Sequence, residues 1–362
     1  MKNILVFYQN STESVFIRTL IDNYARNHNV YLITTSPAGF LHQIYQNTQV
    51  VALSIANKNT IWKQVYTLIK FCRQYKIDFV FPHLQRANLI ALIAQYFIKA
   101  KVIPTRHHID DVRLGANINA KIEDKLVNLL SRKLIVLSEK AKKDIIDNEN
   151  LSSKRMIVLP LIYNFNLYKS PNLDFNKKNI DIPENSKVII TIGRINQNKR
   201  TELALYVLEK LIENQQDYYW IVLGDGPNMD SLSALINNSP VSSRVRIIGN
   251  TDKALDYLQL ADWLIHPSIS ESSCQVIKEA GILSKSVIVC KNVGDFEEYL
   301  VDNQNAHIVS KNNFLNETVE KIISSTIFDK TRLGKNLKET ILSHFSLDNI
   351  KTHYDKFIED DY

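Results

Sequence analysis

Short apolar and β-branched runs recur along the chain at intervals of roughly 20 to 30 residues, and the stretches between them carry helical periodicity. This alternation predicts parallel sheets assembled from strand–helix–strand units. In the first half, strands are expected at 4–7, 30–34, 50–53, 78–81, 102–105, 133–137 and 156–159, with helices at 61–75, 86–99 and 120–131. The rhythm breaks over 168–187, a polar, aperiodic stretch that holds Pro171 and Pro183. It restarts with strands expected at 188–192, 219–223, 245–248, 263–266, 287–289 and 307–309. Ala204, Val207, Leu208, Leu211 and Ile212 fall on one helical face, so a helix follows Lys199, and beyond Asn313 the pattern is helical to the end.

The expected fold class is α/β, with two Rossmann-like domains facing across a cleft. The first domain covers 1–170, a linker 171–187 and the second domain 188–340, while a C-terminal helix over 341–362 returns to the first domain. Open sheets of this kind bind ligands beyond the carboxyl ends of their strands. A chain of 362 residues exceeds one ordinary core, in agreement with two domains.

An apolar content of 45% with 23% charge fits a globular chain and excludes wholesale disorder. No run approaches the length that spans a bilayer, and the apolar stretch at 4–8 is too short for a signal peptide. Three cysteines, Cys72, Cys274 and Cys290, lie in no metal-like spacing. A reducing cytoplasm is the expected compartment. Net charge is +6, but residues 1–170 hold 23 Lys plus Arg against 11 Asp plus Glu, whereas 171–362 hold 21 against 27. The first half is therefore expected to meet something anionic. Nucleic acid is disfavoured as a partner, because aromatic and basic residues are not interleaved in an RNA-binding pattern.

Glycine is scarce, nine in the chain, and six of these fall between Gly193 and Gly294. Three sites there carry candidate chemistry. A strand running into Gly193-Arg194, a polar loop and Lys199-Arg200 opening a helix would offer free amides and two cations to a diphosphate. Gly224-Asp225-Gly226-Pro227 forms a tight turn after a strand and, with no third glycine, is not the dinucleotide fingerprint. The third site runs from Pro267 to Ala280. A helix is expected to begin near Ser273, placing Glu271 just before it and Glu279 about two turns along. Carboxylates so placed accept hydroxyl hydrogen bonds from sugar or ribose, while the amides of Ser272, Ser273, Cys274 and Gln275 face phosphate.

The ordered set Gly193-Arg194 with Lys199, Gly224 to Pro227, Gly249, Ala261-Asp262, Pro267-Ser268 and two glutamates eight apart, closing on Glu279-Ala280, resembles the retaining glycosyltransferases of family 4, which have the GT-B fold. His83 to Asn88, 102–108 and Val136 to Glu139 look like segments of that family's acceptor domain. The resemblance implies a nucleotide-sugar donor, UDP- or GDP-linked, no metal and no further cofactor. Arg194 and Lys199 would grip the diphosphate, Glu279 the ribose, and Glu271 the transferred sugar. Gly193, Gly224, Gly226 and the segment Ser272, Ser273, Cys274, Gln275 and Val276 would line the donor site. His107 would touch the sugar near its anomeric carbon, with His108 as the alternate register, and Asn10 would lie on the acceptor side.

The expected function is transfer of a hexose-type sugar, with retention, to a cell-surface glycan or lipid-linked saccharide. The work would be done in the cytoplasm, peripherally on the inner face of an anionic membrane. A sugar-nucleotide epimerase of the same fold and a non-catalytic sugar-binding protein are the rivals. Asp110 and Asp111 read as turn residues. Departures from the family pattern stand at Ser272 and Cys274, where glycines are common, at Ser286, where proline is usual, and in the loop Gln9 to Glu13, which lacks a glycine pair.

Overall fold

The computed structural model describes residues 1–58, 60–107 and 118–359. The chain divides into two compact units, Met1–Tyr168 with Phe345–Tyr362, and Lys169–His344.

In the first unit the strands are β1 (Asn3–Tyr8), β2 (Asn29–Thr34), β3 (Val51–Ser54), β4 (Phe79–His83), β5 (Lys101–Val102), β6 (Thr105–Arg106), β7 (Leu134–Val136) and β8 (Met156–Val158). They form a parallel sheet ordered β3-β2-β1-β4-β6-β7-β8, with β5 also pairing to β4. The expected strand at 102–105 is thus two short pieces, because Pro104 between them has no N–H to give the ladder. Helices α1 (Val15–Tyr24), α2 (Phe40–Ile44), α3 (Ile61–Gln74), α4 (Gln85–Ala94), α5 (Ile118–Leu130) and α6 (Glu139–Glu149) connect the strands. Ser138 starts α6 by accepting a hydrogen bond from the Ala141 amide at 3.0 Å, so the serine of the Val136 to Glu139 segment is a helix cap.

The second unit's strands are β9 (Lys187–Ile192), β10 (Tyr218–Leu223), β11 (Val245–Gly249), β12 (Trp263–His266), β13 (Ser286–Cys290) and β14 (His307–Val309), all parallel in the order β11-β10-β9-β12-β13-β14. Helices α7 (Leu203–Glu213), α8 (Met229–Asn237), α9 (Ala254–Leu258), α10 (Gln275–Ile282), α11 (Phe296–Tyr299), α12 (Phe314–Ser324) and α13 (Ile327–Phe345) complete it. Strands β12 and β13 are buried along their whole length, as a sheet covered on both faces requires.

The segment 171–187 is part of the second unit and no free linker. The Asn172 amide donates to Asp256 at 2.7 Å, Arg246 donates to the Ile180 carbonyl at 2.8 Å, and a short helical turn spans Lys177–Ile180. Its Asn and Lys residues read as loop because the bonds that hold it are polar. The last helix, α14 (Leu347–Glu359), packs in the first unit, where the Tyr354 hydroxyl donates to the Pro160 carbonyl at 2.6 Å.

Candidate active site

Strand order in the second sheet reverses between β9 and β12, which opens a crevice at their carboxyl ends. The crevice begins as a cavity of about 530 Å³ lined by Gly193, Arg194, Gly224, Gly226, Gly249 and Asn250. Gly224 has φ +126°, and a Cβ there would lie 1.9 Å from the Gly193 carbonyl oxygen, so only glycine lets the two turns close on each other. Arg194 is exposed at this cavity, and among the described residues no ion pair holds its guanidinium. Lys199 and Arg200 lie in a turn ahead of α7, which opens only at Leu203. Arg200 is a clamp and not a ligand group, since its guanidinium donates to the Pro267 carbonyl at 2.9 Å and the Lys311 carbonyl at 3.0 Å.

Lys199 reaches across from β9 to the loop after β12, where its ammonium pairs with Glu271 Oε1. His266 Nε2 lies 2.6 Å from the same oxygen, and Cys274 Sγ 3.5 Å from that nitrogen. Burial pulls the His266 imidazole down, but the Cys274 and Glu271 groups beside it override burial and lift it to about 9. Burial pushes Glu271 up, and Lys199 and His266 together hold it well below the usual carboxylate range. Lys199 and His266 thus share one carboxylate oxygen and hold Glu271 ionised. Both cations sit on Oε1, which leaves Oε2 to accept from a ligand. His266, Glu271 and Cys274 also bring possible metal-ligand atoms within 4.8 Å of one another, but the Lys199 ammonium already brings positive charge to that carboxylate.

Helix α10 starts at Gln275, two residues later than the pattern predicts, because Cys274 is extended at φ −78°, ψ 109°. Ser273 caps nothing; its hydroxyl donates to Asp295 Oδ2 at 2.6 Å, and the buried Lys278 ammonium donates to the same oxygen at 2.6 Å. Gly294, at φ +53°, packs against Glu271, where a Cβ would come 2.8 Å from the Glu271 Cβ. These contacts fix the loop that carries Glu271 and the helix tip. Asp295→Ala leaves the Lys278 ammonium buried without its carboxylate and is expected to cost about 3 kcal/mol, read by denaturant unfolding. An Asp295→Ala variant as stable as the parent would remove the pair from the framework.

Glu279 lies four residues into α10, closer to its tip than the expected two turns, and accepts from Gln275 Nε2 at 2.7 Å. Burial pushes its carboxyl up to about 7, against a smaller pull from Gln275. An acid raised in the fold stabilises the fold while protonated, fully below its ordinary value of 4.5, and loses that contribution as pH climbs through about 7. Melting curves of Glu279→Gln are expected to fall less than the parent's across this window. Parallel pH dependence of the two proteins would contradict the assignment. Ser272 is buried and its hydroxyl has no partner among the described residues, Gln275 is exposed, and Val276 is half-buried.

In the first unit, His107 follows β6 with its Nε2 3.0 Å from Nδ1 of His83, and Phe16 meets both rings edge-on. Burial lowers His83 to about 3, so it is neutral. Arg106 lends His107 no free charge, because its buried guanidinium pairs with Asp124 at 3.2 Å and Glu149 at 2.9 Å. Leu84, between β4 and α4, holds a strained φ of +73° at this strand end. Asn10 is exposed just after β1. His108, Asp110 and Asp111 lie outside the described residues.

His266 escapes a motif reading because it looks like the last residue of a strand, and its position five before Glu271 is the signal available. Lys278 and Asp295 escape because a lysine beside Glu279 reads as solvated.

A family model described as "Glycosyltransferase Family 4" matches residues 14–164, and one described as "Glycosyl transferases group 1" matches 173–340. Among curated relatives, the N-acetylgalactosamine-N,N'-diacetylbacillosaminyl-diphospho-undecaprenol 4-alpha-N-acetylgalactosaminyltransferase of Campylobacter jejuni is 25% identical over 67% of this chain and 66% of its own length, just short of two thirds. The N-acetyl-alpha-D-glucosaminyl L-malate synthase of Bacillus anthracis is 23% identical over 70% of this chain and 69% of its own. Two solved structures share the fold: Anabaena HepE in complex with UDP-glucose, with TM-score 0.82, 17% identity and coverage of 99% and 100%, and the sucrose-phosphate synthase of Thermosynechococcus elongatus, with TM-score 0.78, 15% identity and 99% of each chain. With one model on each half and this fold throughout, the chain belongs to family 4 of the GT-B glycosyltransferases.

Proposed function

We propose that the chain transfers a hexose-type sugar, with retention and without a metal, from a nucleoside-diphosphate sugar to a growing cell-surface glycan on a lipid carrier. One observation carries this: the Lys199–Glu271–His266 cluster at the reversal point of the second sheet, beside a glycine-floored cavity and the tip of α10. The Campylobacter relative's name, with its diphospho-undecaprenol acceptor, supports the lipid-linked class, and HepE's complex with UDP-glucose supports the donor class.

In this reading Arg194 and Lys199 neutralise the diphosphate, the amides at the tip of α10 face its oxygens, and Glu279 holds the ribose. The bond between the anomeric carbon and the phosphate oxygen breaks as the acceptor oxygen bonds the same face of that carbon. The leaving phosphate takes the acceptor's proton. Positive charge grows on the sugar and negative charge on the phosphate, and this unit's cations face the phosphate. Glu271 Oε2 accepts from the sugar hydroxyls. His107 is the residue proposed to touch the sugar near its anomeric carbon.

A panel of UDP- and GDP-sugars tests the reading through release of free nucleoside diphosphate and through thermal stabilisation, since a ligand of the native state raises the melting temperature. A stabilising sugar nucleotide that is isomerised without release of diphosphate would make the protein an epimerase. Stabilisation without turnover in the presence of lipid-linked acceptors would make it a binding protein.

A further inference from the structure

On one face of the first unit's sheet α4 packs between α3 and α5, over a core that includes Leu68, Ile90 and Val127. The outward side of α3 and of the turn after α4 is aromatic and basic. Trp62 is 69% exposed and Tyr66 68%, and in the turn after α4 Tyr96 is 62% and Phe97 56% exposed. Trp62, Tyr66, Lys70 and Arg73 fall at i, i+4, i+8 and i+11, so they form one stripe along α3. The Arg73 guanidinium donates to the Phe97 carbonyl at 2.8 Å, which joins the end of the stripe to the second aromatic pair. Between residues 58 and 101 eight Lys plus Arg stand against one acid, Asp78.

An exposed group of large aromatics needs a partner, and its neighbours identify which kind. Lysine is depleted where proteins bury one another, and here lysines alternate with the rings. Tyrosine and tryptophan, apolar with one wet end, suit the headgroup layer of a bilayer, and lysines beside them suit anionic lipid phosphates. We propose that this surface docks the chain on an anionic bilayer, with Trp62 and Tyr66 entering the headgroup layer and Lys63 and Lys70 over lipid phosphates. Its purpose rests on the lipid-linked acceptor proposed above, whereas the surface can be tested without any acceptor.

Trp220 and Trp263 are fully buried, so a change in tryptophan emission on adding vesicles reports on Trp62. With phosphatidylcholine vesicles containing about a third phosphatidylglycerol, a blue shift and co-sedimentation are expected, and neither with phosphatidylcholine alone. Trp62→Ser with Tyr66→Ser should lower partitioning at least about tenfold. Lys63→Gln with Lys70→Gln should lower it about thirtyfold. All four side chains are exposed or surface-edge groups, so melting temperatures and lipid-free release of nucleoside diphosphate should match the parent. Unchanged emission with no sedimentation, equal partitioning onto neutral vesicles, or variants that sediment like the parent would each overturn the proposal. Vesicle binding in a protein that turns over no nucleotide sugar would keep the docking surface and sink the transferase reading instead.

Discussion

Glu271→Gln is expected to lower kcat by about a hundredfold or more, with a smaller change in the affinity for free nucleoside diphosphate. The substitution keeps the side chain's volume and removes its charge. The Lys199 ammonium and the His266 imidazolium then face each other across a neutral amide, in a site where burial already opposes charge on His266. Lys199 is drawn off its seat, or His266 gives up its proton, and either change alters the field at the leaving phosphate. Turnover suffers more than binding because the phosphate's charge grows on the way to the transition state. Steady-state kinetics with the best donor from the panel, beside calorimetric titration of the free diphosphate, checks the split. Equal losses in both measurements would make Glu271 a binding group alone.

Gly224→Ala is expected to cost more than about 4 kcal/mol and to abolish nucleotide binding. Two effects add at this residue. A Cβ falls 1.9 Å from the Gly193 carbonyl oxygen, a backbone atom that cannot swing away, and φ is +126°, which side chains rarely adopt. The ends of β9 and β10 would have to separate, and they form the floor of the cavity beside Arg194. Equilibrium unfolding and thermal shift with nucleotide read the two losses. A stable Gly224→Ala protein that still binds nucleotide would show that the two turns need not touch.

Strands and helices were legible because apolar period and apolar burial coincide: the fully buried Ile4, Leu5, Val6 and Phe7, or Val188, Ile189 and Ile190, can hardly be anything but inner strands. The boundaries that shifted are those set by hydrogen bonds. Pro104 splits a strand because it has no N–H, and Ser273, which looks like a helix cap, instead bonds to Asp295 across the fold. The glycines and glutamates of the candidate site were legible from spacing and family resemblance. His266, Lys278 and Asp295 were not, since each matters through a partner distant in sequence or through burial. Arg106 shows the converse: a basic residue next to His107 in sequence gives it no free charge, because two carboxylates distant in the chain consume it.

The most direct measurement is a crystal structure of the chain with a bound nucleoside diphosphate. Phosphate oxygens are expected at about 3 Å from Lys199 Nζ and from amides at the tip of α10, with the nucleoside along the cavity lined by Gly193, Gly224 and Asn250. A diphosphate seated elsewhere, with Lys199 still paired to Glu271 and the helix tip untouched, would contradict the proposed site.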